Sequence, residues 1–205
     1  MFNRFLKTFT ADGQSAQTSG AVFSSSDPIV QDFFSRFAGT SFNNGLYRVL
    51  VWNDVQRWNA AVEDAFPAFK GAIVPFGIDW LGRIFALDSR RVVKGRPAVS
   101  IFEPGTGQVL EVPCDIESFH DEELVDYKDA SLAELYFNEW VRRGGSGPSY
   151  SQCVGYQRPL FLGGVDTVEN LELIDLDVYW TISVQLIAKL RNVPPGTGVN
   201  IARKQ

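Results

Sequence analysis

Four short apolar segments separated by turn residues follow one another between residues 72 and 112, and they constrain the fold more than any other feature. The segments cover residues 72–76, 83–87, 98–102 and 108–112. Each has the length and the β-branched or aromatic content of a strand, and the residues PGTG at 104–107 suit a tight hairpin. Strands joined by such short connections pair antiparallel. The pattern therefore predicts an antiparallel β-meander.

Segments with helical periodicity lie on both sides of this meander. Apolar residues recur at helical spacing over 28–39 and 53–66 before it, and over 116–124 and 131–141 after it. A last helix is predicted to start at Asp175 or Asp177, with one apolar stripe at positions 178, 179, 182, 186 and 190. The predicted fold class is α+β, with a meander sheet packed by flanking helices.

The domain organisation follows from composition. Residues 10–26 are rich in Ser, Thr, Gly and Gln, so residues 1–25 are predicted to form a flexible or loosely packed N-terminal arm. Residues 26–205 are predicted to form a single composite α+β domain with lobes of about 26–113 and 114–205, a size that one domain can reach. The tail after residue 194 has room for one short edge strand.

No apolar run approaches the roughly 20 residues that a membrane helix needs, and no membrane contact is predicted. The chain has only two cysteines, Cys114 and Cys153, which suits a reducing compartment better than a disulfide framework. We therefore predict a cytoplasmic protein, and a monomer is favoured.

The second half of the chain is acidic. Residues 111–139 contain ten carboxylates and one cation, Lys128, within a chain of net charge −5. Such a field repels phosphate and attracts a basic partner, so direct nucleic-acid binding is not expected. The candidate partner-binding residues are Glu117, Asp121, Glu122, Glu123, Asp126 and Asp129. The alternative interpretation is a solvated helix face.

Residue types needed for most catalysis are scarce. His120 is the only histidine, and a lone histidine in an acidic helix is more often solvated or structural than a general base. The glycine-rich pieces lack a nucleotide-binding fingerprint, and adjacent acids on a helix diverge rather than converge on a cation. We predict no enzymatic activity, no catalytic residue, no metal and no cofactor.

One connection between predicted strands stands out as a further candidate binding site. It places Asp79, Trp80 and Arg83 between glycines, a composition that is common at binding surfaces. The alternative is that Trp80 fixes the connection to the sheet, since tryptophan is buried more readily than it is exposed.

Several segments together resemble a known family. They are residues 42–48, 79–83, 103–107, 154–164 and 169–171. Over roughly residues 42–199 the chain is similar to immunity proteins that protect bacteria from DNase effectors of type VI secretion systems. That group has a GAD-like N-terminal part and an immunity C-terminal domain, and is related to the SUKH superfamily. Residues 1–25 do not share the resemblance.

The resemblance implies a SUKH-like fold and a cytosolic antidote that neutralises a cognate toxin by binding. The matching motifs are turns, glycines and core aromatics, so they mark no toxin-contacting residue. Two other classes of function stay open on the residues alone. One is a small-molecule-binding regulatory or housekeeping module with a pocket near Trp80 and Arg83. The other is a hydrolase with two converging carboxylates.

Overall fold

A seven-stranded antiparallel sheet forms the centre of the molecule, in a computed structural model that describes residues 1–16 and 25–191. Each strand pairs with its neighbours in sequence, so the order across the sheet is the order along the chain. The strands are β1 (Ala11–Ser15), β2 (Thr40–Phe42), β3 (Tyr47–Val49), β4 (Ile73–Asp79), β5 (Ile84–Val93), β6 (Arg96–Glu103) and β7 (Gln108–Val112). The predicted four-stranded meander is confirmed as β4 to β7, and β1, β2 and β3 extend it to seven strands.

Helices flank this sheet, which confirms the predicted α+β class. Those before the meander are α1 (Asn3–Thr8), α2 (Pro28–Phe37) and α3 (Trp52–Ala65). Those after it are α4 (Ile116–Ser118), α5 (Leu124–Asp126), α6 (Lys128–Leu132), α7 (Glu134–Arg142) and α8 (Leu176–Leu190), with a π-helical turn (Phe119–Glu123) between α4 and α5. Asp27 caps α2 and Asp175 caps α8, as short acidic side chains before a first helical turn do.

A second, two-stranded sheet lies between α7 and α8. It pairs β8 (Gln152–Tyr156) with β9 (Leu171–Asp175) in antiparallel register. The sequence analysis missed both strands. The alternation of Leu171, Glu172 and Leu173 was an available signal for β9, whereas Gly155 interrupts the pattern in β8.

The N-terminal arm prediction is wrong for residues 2–15. Phe2, Phe5 and Phe9 are buried in the core, and β1 pairs with β2. Phe5 lies in α1 and Phe9 directly follows it, and the two rings stack with their centres 4.6 Å apart. Burying three aromatic rings offsets the entropy of ordering this segment. Residues 17–24 of the predicted arm, and the predicted C-terminal edge strand, lie outside the described residues.

The packing around β4 determines the position of Tyr47, which contacts His120. Pro75 lacks an N–H, and the register between β4 and β5 shifts between Pro75 and Gly77. Any side chain at Gly77 would collide with Tyr47, because an added Cβ would lie 2.5 Å from the tyrosine hydroxyl oxygen. The absence of a side chain at Gly77 therefore leaves space for the Tyr47 ring.

His120 lies in the π-helical turn and is completely buried among aromatic rings, including Phe5 and Phe33. Its Nδ1 is 2.7 Å from the carbonyl oxygen of Ile116, which can only accept, so Nδ1 carries the proton. Its Nε2, at 2.9 Å, therefore accepts from the Tyr47 hydroxyl. Burial lowers the pKa of His120 to about 4. These contacts fit the interpretation of His120 as a structural residue and not as a general base.

The low pKa of His120 predicts that the folded chain loses stability as the pH falls. His120 is neutral in the fold, and its pKa is about 6.5 in an unfolded chain. The unfolded state therefore binds more protons as the pH falls, and stability is lost. We expect the free energy of unfolding to fall by about 2 kcal/mol between pH 7 and pH 5 through this group. Urea titrations at both pH values measure it, and the H120Q variant should lose most of the slope. An unchanged slope in H120Q would contradict the assignment.

Candidate functional site

The predicted site residues Asp79, Trp80 and Arg83 lie in the tight turn that joins β4 to β5. The Asp79 carboxylate accepts from the Arg83 backbone N–H at 2.9 Å and from its Nε at 2.6 Å, which closes the turn. Gly82 has a φ of +74°, a conformation that glycine adopts without strain. We call residues 79–83 the clamp turn.

A buried ion network extends from the clamp turn. The Arg83 guanidinium donates to Glu103 at 3.1 Å and to the carbonyl oxygen of Ser131 at 2.8 Å, in addition to Asp79. Burial raises the pKa of Asp79, and the neighbouring Arg83 opposes that shift. Burial acts to lower the pKa of Arg83, but the two carboxylates outweigh it and hold the pKa above its ordinary value. The network is satisfied internally.

Trp80 is enclosed as well. Its indole N–H donates to the carbonyl oxygen of Leu132 at 2.8 Å, and its ring packs against Tyr136 and Phe137. The exposed fractions of Asp79, Trp80 and Arg83 are 0%, 0% and 7%. The prediction that these residues contact a partner is therefore wrong for the folded chain, whereas a small-molecule pocket near Trp80 and Arg83 stays a prediction. Trp80 fixes the connection, which was the alternative interpretation.

Further hydrogen bonds run from the clamp turn to β8 and α8. The backbone N–H of Val154 donates to the Trp80 carbonyl oxygen at 2.7 Å, and the Trp180 indole donates to that of Gly82 at 2.8 Å. A Cβ at Gly82 would lie 3.0 Å from the sulfur of Cys153. The clamp turn thus joins the seven-stranded sheet to α6, β8 and α8 at once.

Removing the charge of Asp79 tests this role. In D79N the Arg83 guanidinium stays buried and loses its main carboxylate, so we expect a loss of about 3–5 kcal/mol in the free energy of unfolding. The control is D32N, which breaks the exposed Asp32–Arg36 pair (3.3 Å) and should cost less than about 0.5 kcal/mol. Urea unfolding measures both, and equal small losses would contradict the role of the clamp turn.

Most of the six predicted acidic contact residues serve the fold itself. Asp121 accepts from the backbone N–H groups of Asn3, Arg4 and Phe5 at 3.0–3.2 Å, and so caps the start of α1. Asp126 forms a two-bond pair with the Arg4 guanidinium, at 2.6 and 2.9 Å. Helix α1 therefore packs against the acidic segment, residues 111–139.

The remaining acids differ in their exposure and partners. Glu123 accepts from the Ser131 hydroxyl, and Asp129 accepts from the backbone N–H of Leu135. Glu122 is well exposed and lies 3.9 Å from Lys94 Nζ, and Glu117 is half-buried. Four of the six acids thus have an intramolecular role that sequence spacing did not reveal. Contact with a partner stays a prediction for all six acids.

The cap at α1 predicts a measurable difference between two neighbouring acids. D121A leaves three N–H groups of α1 without their acceptor, so we expect a loss of about 1–2 kcal/mol in the free energy of unfolding. E122A removes an exposed acid at the edge of ion-pair distance and should change stability by less than about 0.5 kcal/mol. Thermal unfolding of the two variants compares them, and equal midpoints would show that Asp121 does not hold α1.

A cleft of about 170 Å³ opens where α3, β3, β4 and the start of α8 meet. Trp58, Ile78 and Leu176 contribute apolar walls. These residues come from distant parts of the sequence, and the cleft therefore depends on the packing of α3 against α8.

Charged groups stand around the same cleft. The Arg57 guanidinium lies 2.5 Å from an Asp177 carboxylate oxygen, 3.6 Å from one of Asp54, and 4.6 Å from the Trp58 ring centre. The Tyr150 hydroxyl donates to Asp54 at 3.2 Å and accepts from the backbone N–H of Val51 at 2.8 Å. The sequence analysis missed this cluster, because Arg57 and Asp177 are 120 residues apart.

The solvent face of α8 carries exposed apolar side chains next to the cleft-lining Asp177. Val178 and Ile182, one turn apart, are each 48% exposed, whereas Tyr179, Trp180 and Ser183 are buried. The predicted stripe is therefore rotated, because Trp180 and Ser183 join Tyr179 on the buried side. The start of α8 thus brings a cleft, a carboxylate and exposed apolar side chains close together.

Comparisons with known proteins point to the same part of the chain. Residues 116–187 match the model of a protein family described as T6SS immunity protein Tdi1, C-terminal, where T6SS denotes a type VI secretion system. The matched segment begins with α4 and ends within α8, and it includes β8, β9 and Asp177. It thus resembles the C-terminal domain of an immunity protein family. No curated protein matches this chain.

A solved structure shares the fold. It is described as the crystal structure of Atu4351 from Agrobacterium tumefaciens, and the similarity covers 90% of this chain and 89% of that one. The TM-score is 0.61 and the sequence identity is 18%, so the likeness concerns the fold alone.

Two further findings concern membranes and metals. Among residues 1–16 and 25–191, no helix is both long and apolar enough to cross a membrane. Within the same ranges, no three His, Cys, Asp or Glu side chains come together as a metal site would require.

Proposed function

We propose that this chain is an immunity protein that binds a toxin delivered by a type VI secretion system and neutralises it in the bacterial cytoplasm. The observation that carries the proposal is the match of residues 116–187 to the immunity family. The clamp turn adds a structural reason, since it fixes α6, β8 and α8 of the matched segment on a rigid sheet. A rigid surface binds with little loss of conformational entropy.

The state of the reactive side chains favours binding over chemistry. Both ring nitrogens of His120 are engaged inside the core. Burial raises the pKa of Cys114 to about 12 and also raises the pKa of Cys153, so neither thiol ionises readily near neutral pH. Asp79 and Glu103 converge on Arg83, which binds both carboxylates. These groups have structural tasks.

A nuclease is the toxin class that we propose. The sequence resembles immunity proteins directed against DNase effectors, and the net charge of −5 suits a partner whose surface binds phosphate. Opposite charge would speed the encounter of the two proteins. We propose both that the toxin has a basic surface and that it cleaves nucleic acid.

Co-expression tests the proposal. The effector gene adjacent to that of the chain is expressed in a bacterial host alone and together with the chain, and growth is followed. We expect the effector to arrest growth and the chain to restore it, with the two proteins co-purifying as a complex. Plasmid cleavage by the purified effector, with and without the chain, reports whether the toxin is a DNase.

The matched control for this experiment is the destabilised D79N variant, which should protect less at equal expression. Growth arrest that persists beside abundant folded chain, with no complex of the purified proteins, would contradict the proposal. Protection without plasmid cleavage would keep the immunity function and exclude a DNase.

A further inference from the structure

We propose that β9 binds one basic strand of the partner protein along its free edge, an inference that rests on the proposed toxin-binding function for the partner's identity. The added strand would extend the two-stranded sheet of β8 and β9 to three strands. An apolar side chain of that strand would face Leu173, and a lysine or arginine would face Glu172. Nothing in the family match assigns a role to this edge.

The outer edge of β9 carries unpaired backbone groups. Within the described residues β9 pairs with β8 only. The N–H of Val154, the residue of β8 opposite Leu173, donates to the carbonyl oxygen of Trp80 and not to β9. Val154 and Leu173 therefore form a non-hydrogen-bonded pair, so the N–H and C=O of Leu173 point away from β8. A strand placed beside β9 would bond both groups.

Strand β9 lacks the features that usually protect a free edge. Proteins protect edge strands with lysine, proline or bulges, among other features. The segment LELID at 171–175 has no lysine, proline or glycine, it pairs with β8 in regular register, and Leu173 is 39% exposed. The outer strands of the larger sheet differ, because the register of β1 is irregular and the acid of β7, Glu111, lies 3.7 Å from Arg91. Strand β9 is therefore the edge that is most open to pairing.

The charge along β9 favours a basic strand. Residues 159–188 contain five acids and no lysine or arginine. Two of these acids pair with distant arginines, whereas Glu172 and Asp175, the acids of β9, are exposed and form no ion pair within residues 1–16 and 25–191. Arg158 lies near the start of β9, but its Nε donates to the carbonyl oxygen of Leu162. A basic strand would supply the opposite charge that β9 lacks.

Strand geometry specifies which side chains would meet. The partner residue that bonds Leu173 would place its side chain on the same face as Leu173. Its neighbour would lie opposite Glu172, with the two Cβ atoms about 4.5–5.5 Å apart. A lysine or arginine at that position can reach the carboxylate, whereas an acid there would be repelled. The proposed strand therefore alternates apolar and basic residues.

A second copy of this chain fits the edge less well than a basic partner. Antiparallel pairing of β9 with itself about Leu173 would bring Glu172 and Asp175 of both copies to one interface. These acids are exposed and without an ion pair in each copy, so their charges would repel. A basic strand would remove this repulsion.

The first test uses a peptide and the chain alone. A capped six-residue peptide of alternating lysine and valine is titrated against the protein, and the backbone amide of Leu173 is followed by NMR. We expect a saturable shift with a dissociation constant in the millimolar range, because few hydrogen bonds form and the peptide must be ordered. The same peptide with glutamate in place of lysine should bind at least about fivefold more weakly. Equal responses to the two peptides, or none, would overturn the proposed strand site.

The second test uses variants of the chain and the effector. L173P removes the outward N–H, which an edge strand tolerates because that group faces solvent, and E172K reverses the charge beside it. The control D64K reverses an exposed acid on α3. We expect L173P and E172K each to weaken effector binding at least about tenfold, and D64K to change it less than about twofold. Urea unfolding of each variant verifies that it is folded.

The outcomes separate the edge site from the function. Wild-type affinity of both L173P and E172K for an effector that the chain neutralises would refute the role of β9 and keep the function. Peptide binding at Leu173 without any neutralised effector would keep the edge site and refute the toxin as its partner. A dimer of the wild-type chain that L173P dissociates would overturn the basic partner in favour of a second copy.

Discussion

The rest of the structure depends on the buried ion pair of Asp79 and Arg83. It closes a turn whose backbone and side chains then reach α6, β8 and α8 through four hydrogen bonds of 2.7–2.8 Å. The two-stranded sheet of β8 and β9 would be marginal alone in water. Attachment to the clamp turn gives it the support of the larger sheet. A charged pair that looks like a surface feature in sequence is therefore the joint between the two parts of the molecule.

The charges of the acidic segment are also stabilised by groups that are distant in sequence. Ten carboxylates near one cation should repel one another, yet the fold brings Arg4, Lys94 and the N–H groups of α1 to them from distant positions. The segment therefore helps to hold the N-terminus. Exposed acids that do not hold α1 include Glu122, near Lys94, and Asp177, which pairs with Arg57 at the start of α8.

Sequence patterns correctly predicted the elements that depend on residues close together in the chain. The four central strands followed from periodicity, and α8 begins at the first of its two predicted starts, with Asp175 as its cap. Features that depend on distant pairing were missed or misjudged. Phe5 and Phe9 are buried because a capped helix docks on residue 121, and β1 forms because residue 11 meets residue 42. The cleft requires Arg57 to meet Asp177. No short window contains both members of these pairs. The burial of Trp80 and Arg83 likewise depends on partners that are distant in sequence, Leu132 and Ser131.

The central claim is that the clamp turn makes the sheet and the matched segment one cooperative unit. Native-state hydrogen exchange in increasing denaturant tests it most directly, by comparing amides of β5 and β6 with those of β8 and α8. The account predicts that Val154 and Trp180 exchange with the same free energy and denaturant dependence as Phe85 and Ile101. If β8 and α8 instead exchange through a separate opening of much lower free energy while β5 and β6 stay protected, the account is contradicted.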